Sequence, residues 1–168
     1  KVKNNQLVWE LSQKILEQLP KGAFLTVNDG ERINVMTIGW GNIGFVWGKP
    51  VFTALVRYSR YTYELLEKSG EFAVCIPAKD SLKQELAICG SKSGRDLDKF
   101  KACGFTTVKG QVISAPLIKE CPLHLECKVI YKKGMDENFL DPKVKEASYP
   151  KGDLHVIYYG EIVSCSEK

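Results

Sequence analysis

The sequence predicts a mainly β domain, an antiparallel barrel carrying inserted helices. Three observations lead there: β-branched and aromatic runs outnumber amphipathic stretches, successive runs are hairpin-like neighbours, and there is no regular strand-helix alternation. A doubly wound parallel sheet would need that alternation. The 168 residues suit one domain spanning 1–168, long enough to bury about two-thirds of the unfolded surface in a single core.

Residues 6–19 read as an amphipathic helix, with Leu7, Leu11, Ile15 and Leu19 at i, i+4 spacing and Pro20 ending it. GAFLTVNDGERINVMTIGW then gives two strands around Asn28, Asp29 and Gly30, a strong hairpin signal. A glycine-rich bend, GWGNIG, leads to KPVFTALVR, whose composition suits a buried strand. The next helix begins near Ser59, a good N-cap type, and closes at Ser69 and Gly70. EFAVCIP is a short buried strand stopped by proline. DSLKQELAICG gives a helix opened by Asp80 or Ser81 and closed by Gly90, and GSKSGRDLDKF a polar loop entering a short helix with Asp96 and Asp98 in its first turn. The remainder is mostly strand: LHLECKVIYKKG, a polar excursion over 135–152, and LHVIYYGEIVSCS.

Composition narrows the function classes. Hydrophobic residues at 44% and charged residues at 26% lie near globular averages, against disorder and against a membrane protein. No apolar run approaches the roughly 20 residues of a membrane span. The opening segment lacks the apolar core and cleavage site of a signal peptide, so a cytoplasmic location is expected, with a trimmed start left open by the missing initiator Met. The net charge of +4 is spread along the chain without a basic block, which argues against a nucleic-acid partner. The six cysteines show no CxxC pair. In CPLHLEC, an extended strand would turn His124 away from Cys121 and Cys127, and no fourth ligand is evident, so a structural role is preferred to zinc.

GWGNIG matches GxGxxG after a strand, but Gly48 and Pro50 fall where a dinucleotide fingerprint requires a helix. The glycines are therefore read as a tight inter-strand bend. A better anion signal lies at RYSRYT. Arg57, Ser59, Arg60 and Thr62 surround a helix start, where a cation is unfavourable unless something negative joins it. The alternative is two solvated arginines and a capping serine. SKSGRDLDKF gathers Ser91, Lys92, Ser93 and Arg95 around Gly94, either a second donor loop or a solvated one. Asn34, Thr37 and Trp40 interrupt an apolar strand and need partners, in the fold or in a ligand. Cys89 beside the second loop reads as a small buried filler.

The ordered set NVMTIGW, RYSRYT, CGSKSGRDLDKF and HVIYYGE resembles the flavin reductase-like family of FMN-binding split barrels, within it the flavoredoxin branch. No one motif is specific, but the order is, and it runs from about Lys21 to the C-terminus. The resemblance implies an antiparallel split β-barrel that binds FMN. Arg57, Ser59, Arg60 and Thr62 would hold the phosphate. Asn34, Val35, Met36 and Thr37 would line the ring, largely through backbone atoms, and Gly90, Ser91, Lys92 and Ser93 would reach it from the second loop. Lys92 would stand near the ring N1 and O2 positions, and His155 matches a histidine often found near the site. Two activities are compatible with this: an oxidoreductase moving electrons from NADH or NADPH through FMN to free flavin, ferric iron or a redox protein, or an electron carrier without direct nicotinamide oxidation. A homodimer is implied as well.

Overall fold

The computed structural model describes the backbone of residues 2–168 and side chains from Asn5 onward. Seven strands form one sheet: β1 (Ala23–Asn28), β2 (Ile33–Ile38), β3 (Gly41–Val46), β4 (Lys49–Arg57), β5 (Glu71–Ile76), β8 (Leu123–Gly134) and β9 (His155–Glu167), with β6 (Thr107–Val108) and β7 (Leu117–Ile118) as a separate pair. The order in the sheet is β2-β1-β5-β8-β9-β4-β3, every neighbour antiparallel. The two edge strands are consecutive in the chain, separated only by Gly39 and Trp40. Three Cα steps of about 3.8 Å keep those edges within about 11 Å of each other. The sheet must therefore roll up, leaving an unpaired seam between β2 and β3: a split barrel.

Helix α1 (Val2–Gln18) closes the barrel interior through Val8, Leu11 and Ile15, which join Leu25, Phe52, Phe72, Leu125 and Tyr158 in the main core. A 3-10 turn (Leu19–Lys21) carries Pro20, as expected of a residue that lacks an amide donor. Helix α2 (Tyr61–Ser69) contributes Leu65 and Leu66 to the same core and ends on Gly70 in the left-handed conformation, φ 63°. Outside the sheet, α3 (Lys83–Ser91) and α4 (Lys99–Ala102) cover Phe24, Val35, Ala73 and Cys75 with Leu86, Cys89 and Phe100. Helix α5 (Pro142–Ser148) lies in the polar excursion before β9.

Three local expectations change. Most of GWGNIG is strand: Gly41 to Gly44 lie in β3, paired with β4, and only Gly39 and Trp40 form the connection. No helix follows, as the dinucleotide fingerprint would need. Ser59 is not the cap of α2, because Arg60 takes that position and the Ser59 hydroxyl is spent on Asp153. Helix α3 starts after Leu82 rather than at Asp80 or Ser81, and runs through Gly90 to Ser91. His124 sits on β8, turned away from the core face that carries Leu125 and Cys127, and its Nε2 is 2.7 Å from the Ile118 carbonyl oxygen. No helix among the described residues is long and apolar enough to cross a membrane.

Candidate functional site

Two adjoining concavities open along the seam. The first is a cradle of about 180 Å³, between the start of α2 and the loop after α3. Arg60, Lys92, Arg95 and Lys99 line it, with Asn34, Tyr61, Thr62 and the stretch Ser91 to Gly94. The cap position of α2 makes no side-chain hydrogen bond, and although the Tyr63 amide is taken by the Arg60 carbonyl (3.0 Å), the two amides before it lie at a helix start that has no intrahelical partner for them. Gly94 is demanded by the close approach of three segments: a Cβ there would lie 2.2 Å from Asn34 Oδ1 and 2.7 Å from the Tyr61 ring. The second is a cleft of about 220 Å³ walled by Met36 to Trp40, Leu55, Arg57, Arg60 and His155. Arg60 belongs to both.

The two cations at the base of the cradle are fixed by one helix end. Arg60 donates to the carbonyls of Gly90 (2.9 Å) and Cys89 (3.1 Å), and Lys99 Nζ donates to the carbonyls of Cys89 and Lys92, both 3.2 Å. The C-terminal carbonyls of α3 supply partial negative charge that holds them there. Both side chains are largely withdrawn from water. Burial lowers the Arg60 pKa and, with the nearby Arg60 charge adding to it, brings Lys99 down to about 8. Arg95 closes the far side, bonded to the Ser59 carbonyl (3.2 Å) and paired with Glu64. A dianion in this cradle would relieve the repulsion among four cations.

The residues singled out in the sequence do not all converge. Ser59, Arg60, Thr62, Ser91, Lys92 and Ser93 reach the cradle, and so does Asn34. Met36 and Thr37 line the cleft. Arg57 stands apart from the cradle: its two terminal nitrogens donate to the carbonyls of Asp153 (2.8 Å) and Ser148 (3.0 Å), and its guanidinium lies 4.9 Å over the Tyr149 ring. Strand geometry explains this, since Arg57 ends β4 opposite His155, whereas Arg60 follows the turn into α2. Val35 points into the second core cluster, so only its backbone can face a ligand. Gly90 contributes its carbonyl to Arg60 and packs against Thr37. Lys92 lines the cradle and not the cleft, and Arg60 is the cation at the junction of the two.

The interrupting polar residues of β2 find partners within the fold. Asn34 Nδ2 donates to Thr62 Oγ1 (3.0 Å) and Thr37 Oγ1 to the Leu86 carbonyl (2.6 Å). Cys89 is buried with its thiol pushed up to about 12 by burial, and its Sγ lies 3.8 Å from Cys103 Sγ, a packing role.

On the cleft side, His155 Nδ1 is 2.6 Å from the Tyr149 hydroxyl and its ring leans on Trp40 at 5.4 Å. Burial, reinforced by the Arg57 charge, drives the His155 pKa down to about 4, so the ring is neutral at pH 7. Trp40, half exposed, forms the mouth.

Sequence reasoning missed Lys99, which it did not single out within RDLDKF. It also missed Asp153, whose carboxylate accepts from the Ser59 amide (3.1 Å) and hydroxyl (2.6 Å). A pair 94 residues apart leaves no local signal.

Comparison with known proteins bears on the fold and the family. Solved split-barrel structures superpose on most of the chain. Flavoredoxin from Methanosarcina acetivorans is 27% identical, with a TM-score of 0.67 over 88% of this chain and 68% of that one. Flavoredoxin from Desulfovibrio vulgaris, 24% identical with a TM-score of 0.69 over 88% and 69%, shares the fold. The chain belongs to the flavin reductase like domain family, which matches residues 18–168. An uncharacterized protein of Archaeoglobus fulgidus is 33% identical over 69% of this chain, and the Escherichia coli protein YddH is 33% identical over 65%. The chain spans 65% and 57% of the lengths of these two relatives.

Proposed function

We propose that this chain binds FMN and works in the cytoplasm as a flavin reductase-like oxidoreductase, moving electrons from NADH or NADPH to an acceptor such as free flavin, ferric iron or a redox protein. The observation that carries the reading is the pair of concavities sharing Arg60: a four-cation cradle sized for a phosphate, adjoining a cleft sized for a ring and lined by Met36, Ile38, Trp40 and Leu55 together with Arg57 and His155. The donor set fits the group, and Gly94, where a Cβ would collide with Asn34 and the Tyr61 ring, lets the second loop pack closely enough to wall the cradle.

Bound FMN supplies hydride and single-electron chemistry. The chain supplies placement. Arg60, Lys92, Arg95 and Lys99 hold the phosphate with the first amides of α2. Arg60, at the junction of cradle and cleft, biases the ring end toward negative charge, which favours reduction. Trp40 narrows the mouth and excludes water, and neutral His155, held by Tyr149, offers a hydrogen-bonding ring nitrogen without adding charge. No acid-base pair or nucleophile is required of the chain.

The likeness to flavoredoxin from Methanosarcina acetivorans supports a second reading, an electron carrier that exchanges electrons with protein partners. The half-exposed Trp40 at the mouth suits a protein surface docking there. A homodimer is part of the proposal. Phe45 and Trp47, 63% and 61% exposed, stand on the edge strand β3 and its turn, an apolar surface suited to a second copy. Light scattering of the purified protein checks it.

Anaerobic stopped-flow mixing of FMN-loaded protein with NADH or NADPH tests the activity. Flavin bleaching on a catalytic timescale is expected of the reductase. Inert but FMN-loaded protein would favour the carrier, and protein that remains colourless with added FMN would contradict both.

A further inference from the structure

The polar excursion between β8 and β9 touches the cleft wall through Tyr149, which follows the last residue of α5 and bonds to His155, the first residue of β9. Both side chains are buried, 5% and 7% exposed. A neutral imidazole carries one hydrogen on its two nitrogens, and the nitrogen that holds it decides what the cleft meets.

The contacts place that hydrogen. The Tyr149 hydroxyl has two acceptors within reach, His155 Nδ1 at 2.6 Å and Met135 Sδ at 3.3 Å. A thioether is a weak acceptor, whereas a bare imidazole nitrogen is a good one. The shorter contact points the same way, because N–H···O bonds run from about 2.7 to 3.2 Å and bonds donated by a hydroxyl from about 2.5 to 3.0 Å. At 2.6 Å, then, the hydroxyl donates and Nδ1 accepts. Burial raises the Tyr149 pKa against the opposing pull of the Arg57 charge, so the phenol keeps the proton it donates. The single ring hydrogen of His155 therefore sits on Nε2.

Nε2 has no hydrogen-bond partner among the described residues, and His155 lines the cleft beside Trp40, with 5.4 Å between the ring centroids. A donor on a side chain this buried calls for an acceptor in the cleft. Among the described residues no carboxylate lines the cleft, and Arg57 and Arg60 bring only donors. The occupant that matches shows oxygen acceptors at this edge, as a ring bearing carbonyl groups does.

We infer that Tyr149 is a positioning residue: it holds His155 in the Nε2–H tautomer, so that the cleft presents a fixed, uncharged donor to a carbonyl oxygen of the ring it takes. Arg57, 4.9 Å over the Tyr149 ring and anchored on the carbonyls of Ser148 and Asp153, keeps the tyrosine in place. A hydrogen bond from such a donor strengthens as negative charge grows on the oxygen it faces, which supports the bias set by Arg60 without adding a charge. The tautomer stands on the contacts alone, while its role toward the ring rests on the flavin-binding reading above.

Nitrogen-15 NMR of histidine-labelled protein tests the tautomer directly, because the chain has two histidines. His124, whose Nε2 lies 2.7 Å from the Ile118 carbonyl oxygen, is the internal Nε2–H reference, and His155→Gln removes the other set of signals. At pH 7 the His155 signals are expected to match those of His124; a hydrogen on Nδ1 overturns the proposal. Tyr149→Phe should move them toward an average of the two tautomers and weaken FMN and riboflavin by the same factor, about two- to tenfold. In the His155→Gln background the side-chain amide keeps a donor whatever Tyr149 does, so there Tyr149→Phe should change neither affinity. An equal loss in both backgrounds makes Tyr149 a structural residue and overturns the positioning role. If no flavin binds, the flavin reading falls, and the spectrum still decides the tautomer.

Discussion

The two arginines of RYSRYT stand three residues apart and lead opposite lives. Arg60 is drawn inward over the end of α3, loses water and borders both concavities. Arg57 stays at the end of β4, spends both terminal nitrogens on the carbonyls of Ser148 and Asp153 and covers Tyr149. A shared motif therefore does two jobs. One guanidinium borders the cradle, and the other fastens the α5–β9 connection to the barrel. The cradle gathers four cations, whereas in the cleft Arg57 is tied down by two carbonyls and His155 is held uncharged, which leaves Arg60 as the cation common to both.

The sharpest way to break the cradle is to force its walls apart. Gly94→Ala places a methyl group against Asn34 and Tyr61, and overpacking of this kind costs about 1–3 kcal/mol. The expected outcome is a lower melting temperature and FMN affinity reduced at least tenfold, read by thermal denaturation and fluorescence titration.

Lys99 offers a subtler test through pH. Its folded pKa of about 8 lies below the ordinary lysine value, so between those two values the unfolded chain binds the proton that the folded chain has released. Stability from this group therefore rises with pH across that window. A bound dianion favours the charged amine, so FMN binding takes up a proton there and affinity falls as pH climbs above about 8. Lys99→Met is expected to weaken FMN about tenfold at pH 7 and to flatten the pH profile above 8. A profile unchanged by the substitution would remove Lys99 from the phosphate.

Asp153 stands as an internal rival to the ligand at Ser59. Asp153→Asn keeps a hydrogen-bonding side chain and tolerates the left-handed backbone there, φ 52°, while deleting the charge. FMN affinity should rise about two- to fivefold with riboflavin unchanged, since removing one exposed like charge is worth up to about 1 kcal/mol. On the cleft side the effect is smaller and confined to acid. His155 stays neutral down to about pH 4, below its unfolded value, so its stabilising contribution is lost as pH falls from about 6.5 toward 4. His155→Gln should shift the acid-unfolding midpoint downward with little change in FMN affinity at pH 7.

Local pattern accounted for much of the fold. Lys49–Arg57, Glu71–Ile76 and Leu123–Gly134 could be marked from β-branched content and flanking prolines or glycines, and Gly70 announced the end of α2. What failed were features decided by distant contacts. Ser59 has the chemistry of a cap, yet Asp153 on the far side of the chain claims it. GWGNIG has the composition of a bend, yet pairing with β4 pulls Gly41 to Gly44 into a strand. The concentration of donors in two loops was legible, but which arginine lines the cradle depended on the turn after β4. Lys99 stayed hidden because burial, not sequence context, makes a lysine unusual.

The contrast between the two arginines is also where the account is most exposed. The deciding quantity is the ratio of FMN to riboflavin affinity, measured by titration for the wild type, Arg57→Ala and Arg60→Ala, with melting curves to confirm folding. Hydrogen bonds to charged groups are worth about 1.5–3 kcal/mol, so Arg60→Ala should cut the ratio ten- to a hundredfold while Arg57→Ala leaves it unchanged. A ratio that collapses in Arg57→Ala and survives in Arg60→Ala would place the phosphate at the end of β4 and contradict the cradle.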